Sequence, residues 1–599
     1  MNNFVLLMPL FLLGTGLVTI FTNRSISKFL LLIVSIFLPI IFILNFSISG
    51  NISYNWLGNS LINLSLSLSI TKLLFFAMVW FSLFVYSIAN LCTKNREESW
   101  VLFAAGGLGL SIFAGDLITF FIGWEIMSWA SYLPILSRSK NVKVARKYLV
   151  FGLTGAMFLL TGILLIGVSS GFNIQDILFT KEVYIALPFL LIGFLLKSGI
   201  MPLHRWIPSV YNESSDLFTG FLSGALSKAG VYGLVLLYII YPHKSLNFLP
   251  IIGWLGAITA LFATFRAIKE PVIKRLLAWS SIAQLGYIFA AIGLGTAEGI
   301  SSGIYHAVIH TIIKVLLFTT VAGIIHRTGK TRFDQLGGLI NKMPFSFIAV
   351  LIGIISLAGM PPLGGFASKW AIYSALLSSG KILELIIIIA ASTAAFIYNY
   401  KLIYGIFLGH PTECDPNDIK ETPLGYRLAV ILPLILLIIT GMYPSLIYKI
   451  INPILGEIGF GSINQDNPQV LSSLLGSYNG FVVMLTFGIT FVVILFLFSL
   501  VKGKSRDVNR LDIAYAGETP EDSYPLHYGH GMGQEIDRIP FIGFWLSKTT
   551  KGFYRYIHSL MDQLSSLIRL FYTGNIATLF YVLFIGSAVL WIFVSGGKM

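Results

Sequence analysis

The sequence predicts an all-α integral membrane protein with about 16 transmembrane helices, two broken helices in related halves, and an amphipathic surface helix near the C-terminus. Three observations carry that reading. Of the 599 residues, 56% are hydrophobic and only 11% charged, and the mean hydropathy is +0.83; a soluble domain carries roughly 25% charged residues. Apolar runs long enough to cross about 30 Å of hydrocarbon recur along the whole chain. Several of those runs contain a lysine, histidine or glutamate, which lipid tolerates only where the group has a partner, water or a task.

The first eight runs fall at 4–21, 28–46, 72–92, 99–115, 117–136, 149–170, 184–203 and 216–241. The next eight fall at 249–268, 277–295, 303–325, 345–378 (interrupted), 384–408, 426–449, 480–502 and 576–595. No basic residue precedes the first run and no small-residue cleavage site follows it, so it reads as helix one. The expected organisation is N-terminal helices over 1–98, two halves over 99–241 and 249–408, further helices over 426–502, a polar loop and surface helix over 503–575, and a last helix over 576–599.

Basic residues stay on the cytoplasmic side of a membrane protein. Arg24 and Lys28, Lys94 and Arg96, Arg138 to Lys147, Arg205, Arg266 to Arg275, and Arg327 to Lys342 all fall in odd-numbered loops. The even loops are poor in them, and 47–71 has none. Both termini are therefore expected outside a prokaryotic cell membrane. The net charge of +14 belongs to this loop pattern and gives no reason to expect nucleic acid. Cys92 and Cys414 form no cluster, so the chain lacks ligands for iron–sulfur or structural zinc. No cofactor is expected in it, and electrons of any associated redox system would travel in another chain.

Near the C-terminus, Phe544, Trp545, Phe553, Ile557, Leu560, Leu564 and Leu567 alternate with Lys548, Lys551, Arg555, Asp562 and Arg569. That pattern predicts an amphipathic helix on a membrane or partner surface, or a partly buried connector.

Ionisable residues inside the runs mark five places. Glu125 lies near the middle of the fifth run, where a carboxylate implies a base across a helix interface. Lys197 precedes Gly199 and Pro202, residues that interrupt a helix and free carbonyls. Lys228 sits in the centre of run eight, too deep to reach either surface easily. His306, His310 and Lys314 recur at i, i+4 and i+8, so they share one helix face. Two such histidines can bind zinc, but Ala307 stands where a metalloprotease has its glutamate and no third ligand is evident. A proton-relay stripe suits them better, since histidine titrates near neutral pH. Lys369 follows Gly359-Met360-Pro361-Pro362-Leu363-Gly364-Gly365, a second interruption comparable with Gly199-Ile200-Met201-Pro202. Lysine precedes one break and follows the other, as in halves of opposed orientation.

Over residues 100–405 the chain resembles the antiporter-like subunits shared by respiratory complex I, Mrp-type cation/proton antiporters and energy-converting membrane-bound hydrogenases. The resemblance rests on Gly123-Trp124-Glu125, Lys197-Ser198-Gly199, Pro202-Leu203-His204-Arg205-Trp206-Ile207-Pro208, Lys228-Ala229-Gly230-Val231-Tyr232, Lys274 to Tyr287, His306 to Lys314 and Gly359 to Lys369. It implies two inverted five-helix repeats, each with a discontinuous helix. It also implies a half-channel at Glu125 and Lys197, a central Lys228, a hydrated axis past His306, His310 and Lys314, and an exit at Lys369. The C-terminal extension resembles that of the longest complex I antiporter subunit. Two departures stand out: Val272 replaces the usual acid before Lys274-Arg275, with Glu270 nearby, and Glu213-Ser214-Ser215-Asp216 replaces a Pro-Thr-Pro-Val-Ser stretch.

The function so implied is proton or sodium translocation by a subunit of a membrane redox complex of hydrogenase, sulfur-reductase or complex I type. Its partners would be other membrane subunits, a peripheral iron–sulfur arm and lipid. The alternatives are a subunit of a stand-alone Mrp-type Na+/H+ antiporter and a structural subunit with an idle channel.

Overall fold

The computed structural model describes residues 5–44, 50–55, 63–138, 142–178, 180–241, 248–409, 419–465, 467–500, 538 and 550–571. Of the sequence expectations, the polar loop apart from Arg538 and the last run at 576–595 lie outside the described residues. Residues 1–532 and 533–599 form two separate compact units.

The first unit is helical. Helices α1 (Met8–Phe21), α2 (Arg24–Leu44), α3 (Ile70–Asn90), α4 (Glu98–Phe113), α5 (Leu117–Arg138) and α6 (Val142–Ser170) precede the first interruption. There α7 (Lys181–Ser198) gives way to α8 (Ile207–Glu213), followed by α9 (Asp216–Gly224), a 3-10 turn (Leu226–Lys228) and α10 (Ala229–Ile240). The series continues with α11 (Leu249–Lys269), α12 (Ile273–Ile292), α13 (Ala297–Thr328), α14 (Pro344–Ala358), α15 (Gly364–Ser378), α16 (Ile382–Ile403), α17 (Leu424–Met442), α18 (Tyr448–Glu457) and α19 (Gly480–Leu500). Among the described residues, nine helices or joined helices are long and apolar enough to cross a membrane.

Both expected breaks are present and have the same local cause. Gly199 (φ 67°) ends α7 and Gly359 (φ 78°) ends α14, each in the left-handed conformation that lacks a penalty only for glycine. Pro202, and Pro361 with Pro362, then prevent continuation of the helix. The freed carbonyls find donors: Trp206 Nε1 donates to Leu196 O at 3.1 Å, and Lys369 Nζ donates to Ala358 O at 2.9 Å. A third interruption was not expected. Run eight is divided at Ala225–Lys228 by the 3-10 turn, which places Lys228 at a helix junction rather than in a helix centre.

Two antiparallel hairpins were also missed: β1 (Gly50–Asn55) with β2 (Asn63–Leu68), and β3 (Val470–Ser473) with β4 (Gly476–Asn479). Their short, polar strands carry no run long enough to stand out from loops.

Odd and even loops gather at opposite ends. At the basic end, Arg24 Nη2 donates to Thr93 O (2.7 Å), Arg138 pairs with Glu97 (3.2 Å), Val272 bridges Arg332, and Lys401 Nζ donates to Ile268 O (3.1 Å). At the other end, Lys72 Nζ donates to Ala114 O (2.7 Å), Asp116 bridges Asn173, and the Ile70 amide donates to Glu457 (2.7 Å).

Helices α12 and α13 form the centre. Their spanning windows are each 94% buried, against 33% for α6 and 6% for α19. Two glycine crossings bring neighbouring helices into backbone contact. A Cβ on Gly107 of α4 would meet Met127 N at 2.5 Å, and one on Gly123 of α5 would meet Ser111 N at 2.5 Å. A Cβ on Gly256 of α11 would collide with Ala290 N, and one on Gly286 of α12 would meet Ala260 N at 2.6 Å. Both crossings rest on a glycine from each helix; the α11–α12 crossing adds Ala260 and Ala290, four residues from Gly256 and Gly286, whereas α5 presents Met127 four residues from Gly123.

In the second unit, α20 (Thr550–Phe571) falls within the segment expected to be amphipathic. Tyr556 (66%), Ile557 (36%) and Leu560 (37%) are exposed on it.

Candidate functional site

The site is built on α13, a helix of 32 residues, about 48 Å at 1.5 Å per residue and so longer than a bilayer core. Thr296 caps its start by accepting from the Gly299 amide at 3.1 Å, and Gly329 (φ 68°) ends it. Its polar stripe is fully enclosed: His306, His310 and Lys314 are each no more than 2% exposed. The histidine rings are nearly parallel, 6.5 Å apart.

Each stripe residue meets a different wall. Lys228 Nζ lies 3.1 Å from His310 Nδ1 and donates to Ser223 O at 2.8 Å. Lys314 Nζ donates to Ser280 Oγ (2.6 Å) and Leu277 O (3.2 Å) of α12. His306 bonds through both nitrogens, Nδ1 to Ser368 Oγ at 2.9 Å and Nε2 to Gln284 Oε1 at 2.8 Å. Because the Gln284 amide can present oxygen or nitrogen, this pocket can accommodate either protonation state of the imidazole. Nε2 of His310 and Nε2 of Gln284 are buried without a protein partner.

Lys369, at the second break, is 1% exposed. Its ammonium donates to Ala358 O and, at 3.0 Å, to Ser392 Oγ of α16. It also stands 5.0 Å from the centre of the Tyr287 ring, which in turn lies 5.9 Å from the His306 ring. The carbonyl end of α14 and the aromatic face both favour a cation there. Gly359 makes room for the lysine stem, since a Cβ would meet Lys369 Cδ at 2.5 Å.

Glu125 and Lys197 occupy the far side. Glu125 Oε2 accepts from Trp129 Nε1 at 3.1 Å, and Oε1 has no protein partner. Lys197 Nζ lies 5.7 Å from the ring centres of both Trp124 and Tyr148, in a cavity lined also by Gly155, Gly193 and Trp206. The two residues form no ion pair with each other. Just beyond Lys197, a Cβ on Gly230 would collide with Ser198 Oγ, so α7 and the helix after Lys228 touch there.

The structure thus brings Lys228, His310, His306 and Lys369 into one sequence of contacts through Ser368 and Tyr287. Lys314 joins it through α12, while Glu125 and Lys197 stay a helix interface away. Sequence reasoning missed the neutral partners Ser280, Gln284, Tyr287, Ser368 and Ser392. Ser280, Gln284 and Tyr287 are spaced i, i+4 and i+7, a polar stripe within the apolar α12 that could have been found.

The two departures from the expected pattern are contacts at the basic end. Glu270 pairs with Arg275 at 3.2 Å. Lys274 Nζ meets Asp216 at 2.9 Å and Ser214 O at 2.6 Å, and Ser215 donates to Glu97 at 2.5 Å. Burial pushes the Glu97 carboxyl above the usual carboxylate range, opposed by Ser215 and Arg138.

Residues 114–397 match the family described as NADH:quinone oxidoreductase/Mrp antiporter, TM. Similar curated proteins include a Na(+)/H(+) antiporter subunit of Alkalihalophilus pseudofirmus, 29% identical over 63% of this chain and 51% of that protein. Another is an NADH-quinone oxidoreductase subunit of Desulforudis audaxviator, 27% identical over 55% of this chain and 68% of that protein. The match thus spans about half the length of the antiporter protein. Among solved structures, a chain of the membrane-bound sulfane sulfur reductase, an archaeal respiratory membrane complex, is 28% identical with a TM-score of 0.83, over 99% of both chains.

Proposed function

We propose that this chain, which carries the NADH:quinone oxidoreductase/Mrp antiporter transmembrane domain over residues 114–397, is the ion-translocating subunit of a multisubunit membrane redox complex. One observation carries the choice of parent complex: the end-to-end match, 99% of both chains, to a chain of a respiratory membrane complex. The 51% coverage of the antiporter protein favours a stand-alone antiporter less. The electron-transferring iron–sulfur subunits and lipid would be partners, with the basic end on the cytoplasmic side and both termini outside.

In this reading α4–α10 and α11–α16 are two inverted repeats. The paired glycine crossings and paired breaks support them. Ions move from Glu125 and Lys197 to Lys228, along His310 and His306, and to Lys369. The charge state of a neighbour in the complex, acting on the spacing between Glu125 and Lys197, drives the ion onward toward Lys228. Trp129, which binds Glu125, is 46% exposed, as expected where another chain packs against it. The α20 helix, with its exposed Tyr556, would lie along the membrane surface or a partner protein.

Native purification through a tag on this chain tests the assignment. Co-purifying iron–sulfur subunits support it, whereas small membrane subunits alone would replace it with an Mrp-type antiporter.

A further inference from the structure

The stripe of α13 does not stop at His306. One and two further turns toward the end away from the basic loops stand Ser302 and Glu298, at i−4 and i−8. On the facing α15, Ser368, which bonds His306, is followed on the same side by Ala371 and Ala375, at i+3 and i+7. A crevice of about 350 Å³ opens onto this seam, lined by Glu298, Ser301, Ala371, Ser374, Tyr448 and Gln465, among others. Its floor is close to the stripe. Ser301 is five residues from His306 along α13 and Ala371 three from Ser368 along α15, about 7.5 and 4.5 Å of helix rise respectively.

Three properties define what the crevice can hold. Among the described residues, Glu298 is the single charged residue in its lining, which has no lysine or arginine. The remaining polar groups are hydroxyls and amides, which replace water around a small cation. Behind the wall, and outside the lining itself, stands Tyr305. Its side chain is fully buried, its hydroxyl has no protein partner, and its ring lies 5.9 Å from that of Tyr448, in the crevice wall. A buried hydroxyl of this kind calls for an ordered water or ion. The roof comes from α18 and the segment leading into β3–β4, outside the 114–397 match.

We propose that this crevice is a cation vestibule, holding a hydrated proton or a hydrated monovalent cation, which serves the His306–Ser368 seam from the end opposite the basic loops. The proposal rests on the translocation reading above and adds a mouth to its path. Glu298 concentrates the cation, and Ser301 and Ser374 line its way down. Lys369 then adjoins the path beside its mouth rather than forming that mouth.

Thiol labelling of the intact complex tests it, in a chain with Cys92 and Cys414 replaced by alanine. Ser374 is 6% exposed and Ile372, two residues away in the dry cluster with Leu376 and Ile388, is 0% exposed. Added from the end opposite the basic loops, a cationic methanethiosulfonate should modify Ser374→Cys at least tenfold faster than Ile372→Cys, and faster than its anionic analogue does. Glu298→Gln should abolish that charge preference, and modification should reduce translocation severalfold relative to the same sample before labelling. Gln465→Cys provides the same readout from the roof. Equal labelling at 374 and 372, no charge preference, or full translocation after modification at both 374 and 465 would overturn the vestibule. Competition by sodium but not potassium would identify a sodium site; protection by neither would identify the proton. A parent complex that moves no ions would refute the translocation reading, while the labelling contrast would still decide whether the crevice is a cation site.

Discussion

Lys228 Nζ and His310 Nδ1 meet at 3.1 Å across the seam between the α9–α10 junction and α13. Among the described residues, this is the one hydrogen bond between two of the seven ionisable residues singled out in the sequence. It exists because the 3-10 turn at Leu226–Lys228 aims the lysine at α13. The other partners of Lys228 are the Ser223 carbonyl and the Ser227 hydroxyl, so among the described residues no carboxylate bonds it and the histidine is its one ionisable partner.

His310→Ala should therefore lower ion translocation by the reconstituted parent complex at least tenfold, while leaving the composition of the complex unchanged. Proton or sodium flux per redox turnover checks this; unchanged flux would remove His310 from the path.

Gln284 holds the His306 ring at 2.8 Å. Loss of a hydrogen bond to a group that becomes charged costs about 1.5–3 kcal/mol, which corresponds to a loss of roughly 10- to 100-fold in rate if it falls on the transfer step. Gln284→Leu should show that loss with normal assembly, and Gln284→Glu should alter the pH profile of flux where leucine only lowers it.

Helix crossing at the two glycine pairs sets the spacing of both halves. Gly123→Ala drives a methyl against Ser111 N and should destabilise by about 1–3 kcal/mol. Gly14→Ala, inside α1 with nothing within 4 Å, should leave thermal stability unchanged or slightly higher, since alanine is the better helix former. Thermal unfolding in detergent, followed by size-exclusion chromatography, gives both values.

The Glu97 carboxyl is raised above its ordinary value of 4.5 by burial. The folded chain then holds this proton more firmly than the unfolded chain, so ionisation costs stability. That cost is absent below pH 4.5 and grows as pH rises through the folded pKa. Glu97→Gln should flatten this part of the stability–pH curve, measured as the unfolding midpoint from pH 4.5 to 7.5.

The breaks and the ionisable residues were legible because both break local rules: Gly199 and Pro202 cannot continue a helix, and Lys369 cannot sit in lipid without partners. Position along the chain did not disclose the partners. Ser392 and Ser368 are unremarkable in sequence, and only the packing of α15 between α13 and α16 turns them toward Lys369 and His306. The junction at Lys228 was hidden because Ala225-Leu226-Ser227 contains neither glycine nor proline, so the run reads as continuous. Glu125 and Lys197 show the converse. Opposite charge in an apolar setting predicts pairing, yet Trp129 takes the carboxylate and the Trp124 and Tyr148 rings take the ammonium.

The most direct test of the central claim is Lys228→Met in the natively purified complex, reconstituted into proteoliposomes. Redox turnover and ion accumulation are measured in the same preparation. Methionine matches the lysine stem in volume and removes the charge, so assembly should persist. Turnover that continues with ion accumulation abolished is the predicted result; ion accumulation per turnover equal to that of the unsubstituted complex would contradict translocation through this chain.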